Sequence, residues 1–233
     1  MYHPFSVTQT ISIAWHVLKK NFPTIAVYTL LALIIIVGTG FIVKFILIDI
    51  VLESLGVIIS IFCISFIFLG FIKLIFQLID KEYYDFDFGD IVPKIKMLYS
   101  YILLLIIVST LAVFITNGIK KLDEGFIQSI AGICSGLFIE IFFLFYFPIC
   151  ACFIVDDNSG PFESVVQSFQ LIKGNFLKYF LLFILIETMV FLGSLTIVGM
   201  IFVIPFVNIL LVVAYRKLVY SHLDVDDEII ETL

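Results

Sequence analysis

The sequence predicts an all-α integral membrane protein: six transmembrane helices with three cytoplasmic interfacial amphipathic helices, arranged as three parallel pseudo-repeats. Three observations lead there. Of 233 residues, 62% are apolar and 14% charged, and the mean hydropathy is +1.22, whereas a soluble domain is nearer half apolar. Six apolar runs each reach the roughly 20 residues that a helix rising about 1.5 Å per residue needs to cross about 30 Å of hydrocarbon. Finally, AWHVLKKNF at residues 14 to 22 returns as SFQLIKGNF at 168 to 176.

In residues 6 to 20, Val7, Ile11, Ala14, Trp15 and Leu18 recur at helical spacing, with Thr8, Gln9, Ser12, His16 and Lys19 on the other faces. This is an amphipathic helix, and Ser6 followed by Gln9 three residues on fits a capping box. Apolar runs at about 23 to 48 and 55 to 79 form spans one and two, and a loop rich in Asp80, Glu82, Asp85, Asp87 and Asp90 follows. Spans three and four occupy about 98 to 117 and 126 to 153. Beyond them, Pro161 suits a first helical turn, Glu163 suits the positive end of the helix dipole, and Gly174 suits a C-terminal cap. Spans five and six cover about 177 to 197 and 199 to 220, ahead of an acidic tail at 222 to 233. The runs lack period-two alternation, which excludes a membrane β-barrel. No cleavable signal peptide is expected, and residues 1 to 233 read as a single membrane domain.

The recurrence is more than a shared phrase. Shifted by 154, Ile11, Trp15, Leu18 and Phe22 fall on Val165, Phe169, Ile172 and Phe176, and Lys19 and Asn21 recur as Lys173 and Asn175. A fainter copy at a shift of 80 uses Ile91, Ile95, Leu98 and Ile102, with Asp90 and Pro93 as initiators. The unit is one interfacial helix and two spans, giving pseudo-repeats 1–80, 81–157 and 158–223. Two spans return the chain to the same side, so the units are parallel, unlike the inverted repeats common in secondary transporters. Trp15, Lys19, Phe169 and Lys173 are the expected interfacial anchors.

Placing the N-terminus inside puts Lys19, Lys20, Lys73, Lys81, Lys94, Lys96, Lys173, Lys178, Arg216 and Lys217 at the cytoplasmic face and leaves Lys44, Lys120 and Lys121 outside. Trp15, Tyr83, Tyr84, Tyr99, Tyr101, Tyr179, Tyr215 and Tyr220 gather near the same interface. Both termini are therefore expected in the cytoplasm, with Lys73 snorkelling to that face. The net charge of −6 argues against nucleic acid, which calls for a basic patch.

PFESVVQSFQLIKGNF at 161 to 176, its N-terminal counterpart FSVTQTISIAWHVLKKNF and the closing AYRKL at 214 to 218 resemble the YciC-like bacterial multi-pass membrane proteins and the membrane domain attached to some glycerophosphodiester phosphodiesterases. The resemblance covers most of the chain in hydropathy, although its specific motifs span only about 40 residues. It implies a six-span bacterial inner-membrane protein and supplies no catalytic residues.

Chemistry has few places to reside. Glu140 in GLFIEIFFLF, Glu187 in FILIETMVF and Asn208 in IPFVNILL lie near the middle of their spans, where a charged carboxylate costs roughly 2.5 to 3.5 kcal/mol. Gly132, Gly136 and Glu140 share one helical stripe, a GxxxG pattern suited to close helix packing. The two carboxyls form either a proton or cation site or a pair of neutral packing devices. Pro148 and Pro205 remove helical hydrogen bonds and mark kinks in spans four and six. His3, His16 and His222 lie in separate segments, and the four cysteines read as small apolar residues, so no metal and no cofactor is expected. No GxSxG, Walker A loop or GxGxxG pattern is present.

The expected function is a non-enzymatic scaffold or accessory protein that binds membrane lipids, another membrane protein or a further copy of itself. The alternative is a small transporter or channel that uses Glu140, Glu187 and Asn208 along a polar path.

Overall fold

The computed structural model describes residues 5–45, 50–80, 88–121 and 125–231, with 50, 51, 88, 197 and 222–231 described by backbone alone. The expectations for Tyr83, Tyr84, Lys81 and the acidic residues between 82 and 87, for His3 and for the side chains of the acidic tail fall outside what is described. Among the described residues all regular secondary structure is helical: α1 Val7–Lys20, α2 Phe22–Phe45, α3 Ile50–Asp80, α4 Phe88–Ile91, α5 Ile95–Ile119, α6 Phe126–Ile141, α7 Phe147–Asp156, α8 Pro161–Lys173, α9 Phe176–Ser194 and α10 Ile197–Glu231. A π-helical turn, Phe142–Tyr146, joins α6 to α7. Six stretches are long and apolar enough to cross a membrane: Phe22–Phe45, Leu52–Asp80, Gly89–Ile119, Phe126–Asp156, Phe176–Ser194 and Val198–Ser221.

Packing is concentrated at one end. Ile25, most of the stretches 69–76, 145–155 and 206–218, one face of 97–104, and Tyr179, Leu182 and Ile186 contribute the buried core. The opposite halves of α2, α3 and α5, and nearly all of α6, expose their apolar side chains. Helix α1 packs on α10, α2 and α9, while α8 packs on α7, α5, α10 and α9. The even-numbered spans meet one another there as well, since α3, α7 and α10 are in mutual contact.

The Asn-Phe pair does the same local job at both of its positions. Asn21 (φ −114°, ψ 21°) and Asn175 (φ −129°, ψ 28°) leave the helical region in nearly the same way, close to the sparsely populated bridge between α and β. The carbonyl of each accepts from the residue four further on, Ile25 N–H at 3.1 Å and Tyr179 N–H at 3.0 Å, so the next span begins at once. Asn21 Nδ2 also donates to the Val17 carbonyl at 3.1 Å, the same oxygen that accepts the Asn21 backbone N–H, so side chain and backbone together fasten the end of α1. A third tight connection joins α9 to α10. There the Gly199 N–H donates to Thr196 Oγ1 at 3.0 Å, and Gly193 lets Val203 approach to within 2.8 Å of where a Cβ would stand.

Three local expectations change. Ser6 is the residue before α1, but its hydroxyl bonds Thr8 Oγ1 at 3.1 Å instead of capping a backbone N–H, and Thr10 Oγ1 donates to the Ser6 carbonyl at 2.8 Å. The middle copy is no full amphipathic helix among the described residues. Its first segment, α4, has four residues, and Ile95, Leu98 and Ile102 belong to the opening turns of span three. Pro93 lies in the break between them, where it disfavours helix at Val92. Lys73 reaches from α3 to this break, its Nζ donating to the Val92 carbonyl at 2.7 Å, while Gln77 Nε2 donates to the Asp90 carbonyl at 3.0 Å. The two side chains supply the donors that the end of α4 lacks.

Pro148 acts one turn upstream of itself. The π-helical turn at Phe142–Tyr146 directly precedes it, with the Phe147 N–H bonded to the Phe142 carbonyl. A proline without an N–H and a π-turn are recognised causes of bends in a helix. The buried Tyr179 hydroxyl donates to the Phe145 carbonyl at 3.0 Å, so α9 satisfies backbone within the irregular turn. Pro205 lies inside α10, which continues through it from Ile197 to Glu231.

Candidate functional site

Three candidate sites follow from this architecture. The first is an ionic clamp where spans two, four and six meet. Arg216 on α10 donates from Nη1 to Asp156 Oδ2 on α7 at 3.0 Å and from Nη2 to Asp80 Oδ2 at the end of α3. The neighbouring Tyr215 hydroxyl donates to the same Asp156 oxygen at 3.0 Å. The guanidinium also lies over the Phe76 ring at 4.5 Å, a cation–π arrangement that a planar, weakly hydrated cation favours. A guanidinium has a rigid, planar fork of donors, so one arginine aims a separate N–H at each of two carboxylates from two helices with less ordering than a lysine ammonium needs. Asp157, just beyond α7, has its carboxyl raised above the usual range, first by partial burial and then by the negative charge of Asp156, with Arg216 opposing.

In the sequence Arg216 stands out only as one of the basic residues near span ends at the inner face and Asp80 as a charge of the acidic loop, while Asp156 carries no signal of its own. One signal was available: Arg216 is the only arginine among 13 basic residues.

The second candidate comprises the grooves beneath α1 and α8. Ile11, Trp15, Leu18, Lys19 and Phe22 face Met189, Phe202, Val203 and Phe206 across an apolar trough of about 750 Å³. Phe169, Gln170, Lys173 and Phe176 close a smaller one, of about 310 Å³, against Tyr146. All four expected anchors, Trp15, Lys19, Phe169 and Lys173, therefore line grooves. Trp15 is 49% exposed, with the Lys19 ammonium 5.0 Å from its ring centre. Ser168 fastens α8 to α7 through a 3.2 Å contact with Cys150 Sγ, and Ser159 Oγ donates to Gln167 Oε1 at 2.8 Å.

The third candidate is the intramembrane polar set. Glu140 is exposed on α6 and Glu187 half-buried on α9, close enough for their charges to interact. Asn208 is turned to its own helix, its Nδ2 donating to the Ile204 carbonyl at 2.8 Å. Gly132 and Gly136 would meet nothing within 4 Å if given a Cβ; among the described residues no neighbouring span is seated on them. They line instead a crevice of about 360 Å³ with Thr116, Lys120, Ser129 and Ser135 at the loosely packed end.

No family model, no curated protein and no solved structure matches the chain.

The open space around the two glycines gives a direct test of what covers α6. In a single isolated chain, Gly132→Ala and Gly136→Ala should each raise stability by up to about 0.5 to 1 kcal/mol, because alanine gives up less backbone entropy in a helix. Thermal unfolding in detergent, with size measured alongside, checks this. A fall in melting temperature accompanied by loss of an oligomer would place a helix of another molecule on that face.

Proposed function

We propose that the chain is a non-enzymatic scaffold or accessory protein of a bacterial inner membrane, with both termini cytoplasmic, that binds membrane lipid or a further membrane protein. The observation that carries the proposal is the asymmetry of packing. The six spans are locked at one end by the Arg216 clamp and by α1 and α8, while α6 leaves Gly132, Gly136 and Glu140 uncovered. A braced end with open intramembrane faces suits association, since small residues allow close approach of another helix and an intramembrane carboxylate is stabilised by whatever covers it.

The same arrangement supports three parallel pseudo-repeats. The short helices α4 and α8 pack on the spans just before them, α3 and α7, and α1 packs on α10, the last span of the chain. The first two contacts follow from sequence adjacency, but the third joins opposite ends of the chain and closes a ring. The matched backbone at Asn21 and Asn175 points the same way. On this reading α1 and α8 are interfacial amphipathic helices, the even spans line the axis, and α4 belongs to the short helix of the middle unit. A six-span inner-membrane protein is also what the resemblance to the YciC-like proteins implies.

One observation favours the alternative of a small transporter or channel: Glu140 and Glu187 lie within electrostatic reach of each other. Reconstitution separates the two readings. Liposomes loaded with a pH-sensitive dye and carrying the wild-type chain should take up protons and cations no faster than empty liposomes. Glu140→Gln and Glu187→Gln should leave the melting temperature unchanged or slightly raised. A flux that disappears in the glutamine variants while their folding stays intact would replace the scaffold reading with the transporter reading.

A further inference from the structure

The grooves under α1 and α8 are built from the same parts 154 residues apart. In each, an aromatic ring, Trp15 or Phe169, precedes by one helical turn a lysine at the groove mouth, Lys19 or Lys173, and the following span opens with Phe22 or Phe176. The rings find matching partners on the even-numbered spans. Trp15 lies edge-on to Phe206 at 5.9 Å, and Phe169 meets Tyr146 at 4.1 Å. Phe22 stacks on Phe202 at 6.2 Å, and Phe176 meets Phe145 at 5.8 Å.

Each lysine is the one charged residue lining its groove among the described residues, and both are exposed. Among those residues, no carboxylate pairs with either ammonium. An apolar trough with a single cation at its mouth, unpaired by any carboxylate of the described residues, is complementary to an acyl chain that ends in a negatively charged headgroup. A zwitterionic lipid brings the same chain but carries its own cation beside the phosphate, so charge complementarity selects the anionic lipid.

From this we infer that the two grooves are a matched pair of sites for an anionic phospholipid of the surrounding leaflet, with an acyl chain in each trough and the headgroup phosphate against Lys19 or Lys173. The inference rests on α1 and α8 lying at the membrane boundary, as proposed above. A basic side chain at a bilayer surface favours anionic over neutral lipid by about fivefold, and the preference weakens as salt screens it.

Trp15 is the only tryptophan, so its fluorescence reports on the first groove alone. The full chain is reconstituted in mixed phosphatidylcholine and phosphatidylglycerol bilayers, with brominated acyl chains carried by one lipid or the other as quencher. Brominated phosphatidylglycerol should quench Trp15 with an apparent association about fivefold above that of brominated phosphatidylcholine. The ratio should fall to parity in Lys19→Gln and persist in Lys19→Arg and Lys173→Gln. Combining Trp15→Phe with Phe169→Trp moves the reporter to the second groove, where the dependence should pass from Lys19 to Lys173. Equal quenching by the two lipids in the wild type would overturn the anionic-lipid sites while leaving α1 at the membrane. Absence of quenching by either would place α1 away from lipid and overturn the interfacial reading along with them.

Discussion

Replacing Arg216 by alanine should lower stability by about 2 to 3 kcal/mol, more than any other single charge removal in the chain. Breaking a fully buried ion pair from one side costs roughly 3 to 5 kcal/mol because the remaining charge loses its partner. Here the side chains are 19% exposed at Arg216, 21% at Asp156 and 43% at Asp80, so water recovers part of that cost. Asp156 would keep one donor, the Tyr215 hydroxyl, and Asp80 would turn to solvent. Asp80→Asn should therefore cost less than about 1 kcal/mol, and Asp156→Ala should approach the arginine loss. Arg216→Lys should fall in between, since an ammonium keeps the charge but lacks the planar, pre-organised fork that points one N–H at each carboxylate. Thermal unfolding of the purified chain in a mild detergent reads this order directly. A double-mutant cycle between Arg216 and Asp156 should give a coupling of about 1 to 3 kcal/mol. Near-zero coupling would mean that the three spans are held by their apolar contacts alone.

The second large effect is expected at Gly70, together with its own suppressor. A Cβ there would lie 2.6 Å from the Tyr28 hydroxyl, whereas the next nearest atoms, the Ile91 carbonyl oxygen at 3.6 Å and Tyr28 Cζ at 3.8 Å, are at ordinary contact distance. That hydroxyl donates to the Ile67 carbonyl on α3 at 2.7 Å, and the Tyr28 ring stacks on Phe71 at 5.2 Å. Gly70→Ala should therefore push Tyr28 off its acceptor and cost about 1 to 3 kcal/mol through overpacking and the lost hydrogen bond. Tyr28→Phe alone should cost about 1 kcal/mol. In the Tyr28→Phe background the clashing atom is gone, and Gly70→Ala should become nearly neutral or stabilising, because alanine is the better helix former. The measurement is the melting temperature of the two single variants and the double variant. Additive losses would show that Gly70 is needed for some contact other than the one with Tyr28.

Both predictions concern contacts between residues far apart in sequence, and such contacts are where sequence reasoning was weakest. The six spans were legible because crossing a bilayer demands a local property, an uninterrupted apolar run of sufficient length, and the helices fall close to the runs read from composition. The turns at Asn21 and Asn175 were legible as a repeated phrase. Their shared backbone geometry follows from the same short-range sequence, an asparagine that ends one helix before a phenylalanine that begins the next. The middle copy was less legible because Ile95, Leu98 and Ile102, which fall in the opening turns of α5, have helical spacing whichever helix they belong to. Periodicity alone cannot separate a short surface helix from the first turns of a span.

The candidate site divides along the same line. Sequence alone determined that this chain is helical, that six of its segments can cross a membrane, and that Trp15, Lys19, Phe169 and Lys173 occupy equivalent places in two copies of one phrase. Tertiary structure decided which spans are neighbours. Only that neighbourhood makes a clamp of Arg216, Asp156 and Asp80, from three helices separated by as many as 136 residues. It also turns Gly132 and Gly136 to open space instead of to another span, brings Glu140 and Glu187 within electrostatic reach without joining them, and roofs two apolar troughs with the repeated aromatic and lysine pair. The physical reason is that hydropathy and helix formation act over one or two turns of chain, whereas the partner of a side chain depends on which helix lies beside it, and that is fixed by the packing of the whole bundle.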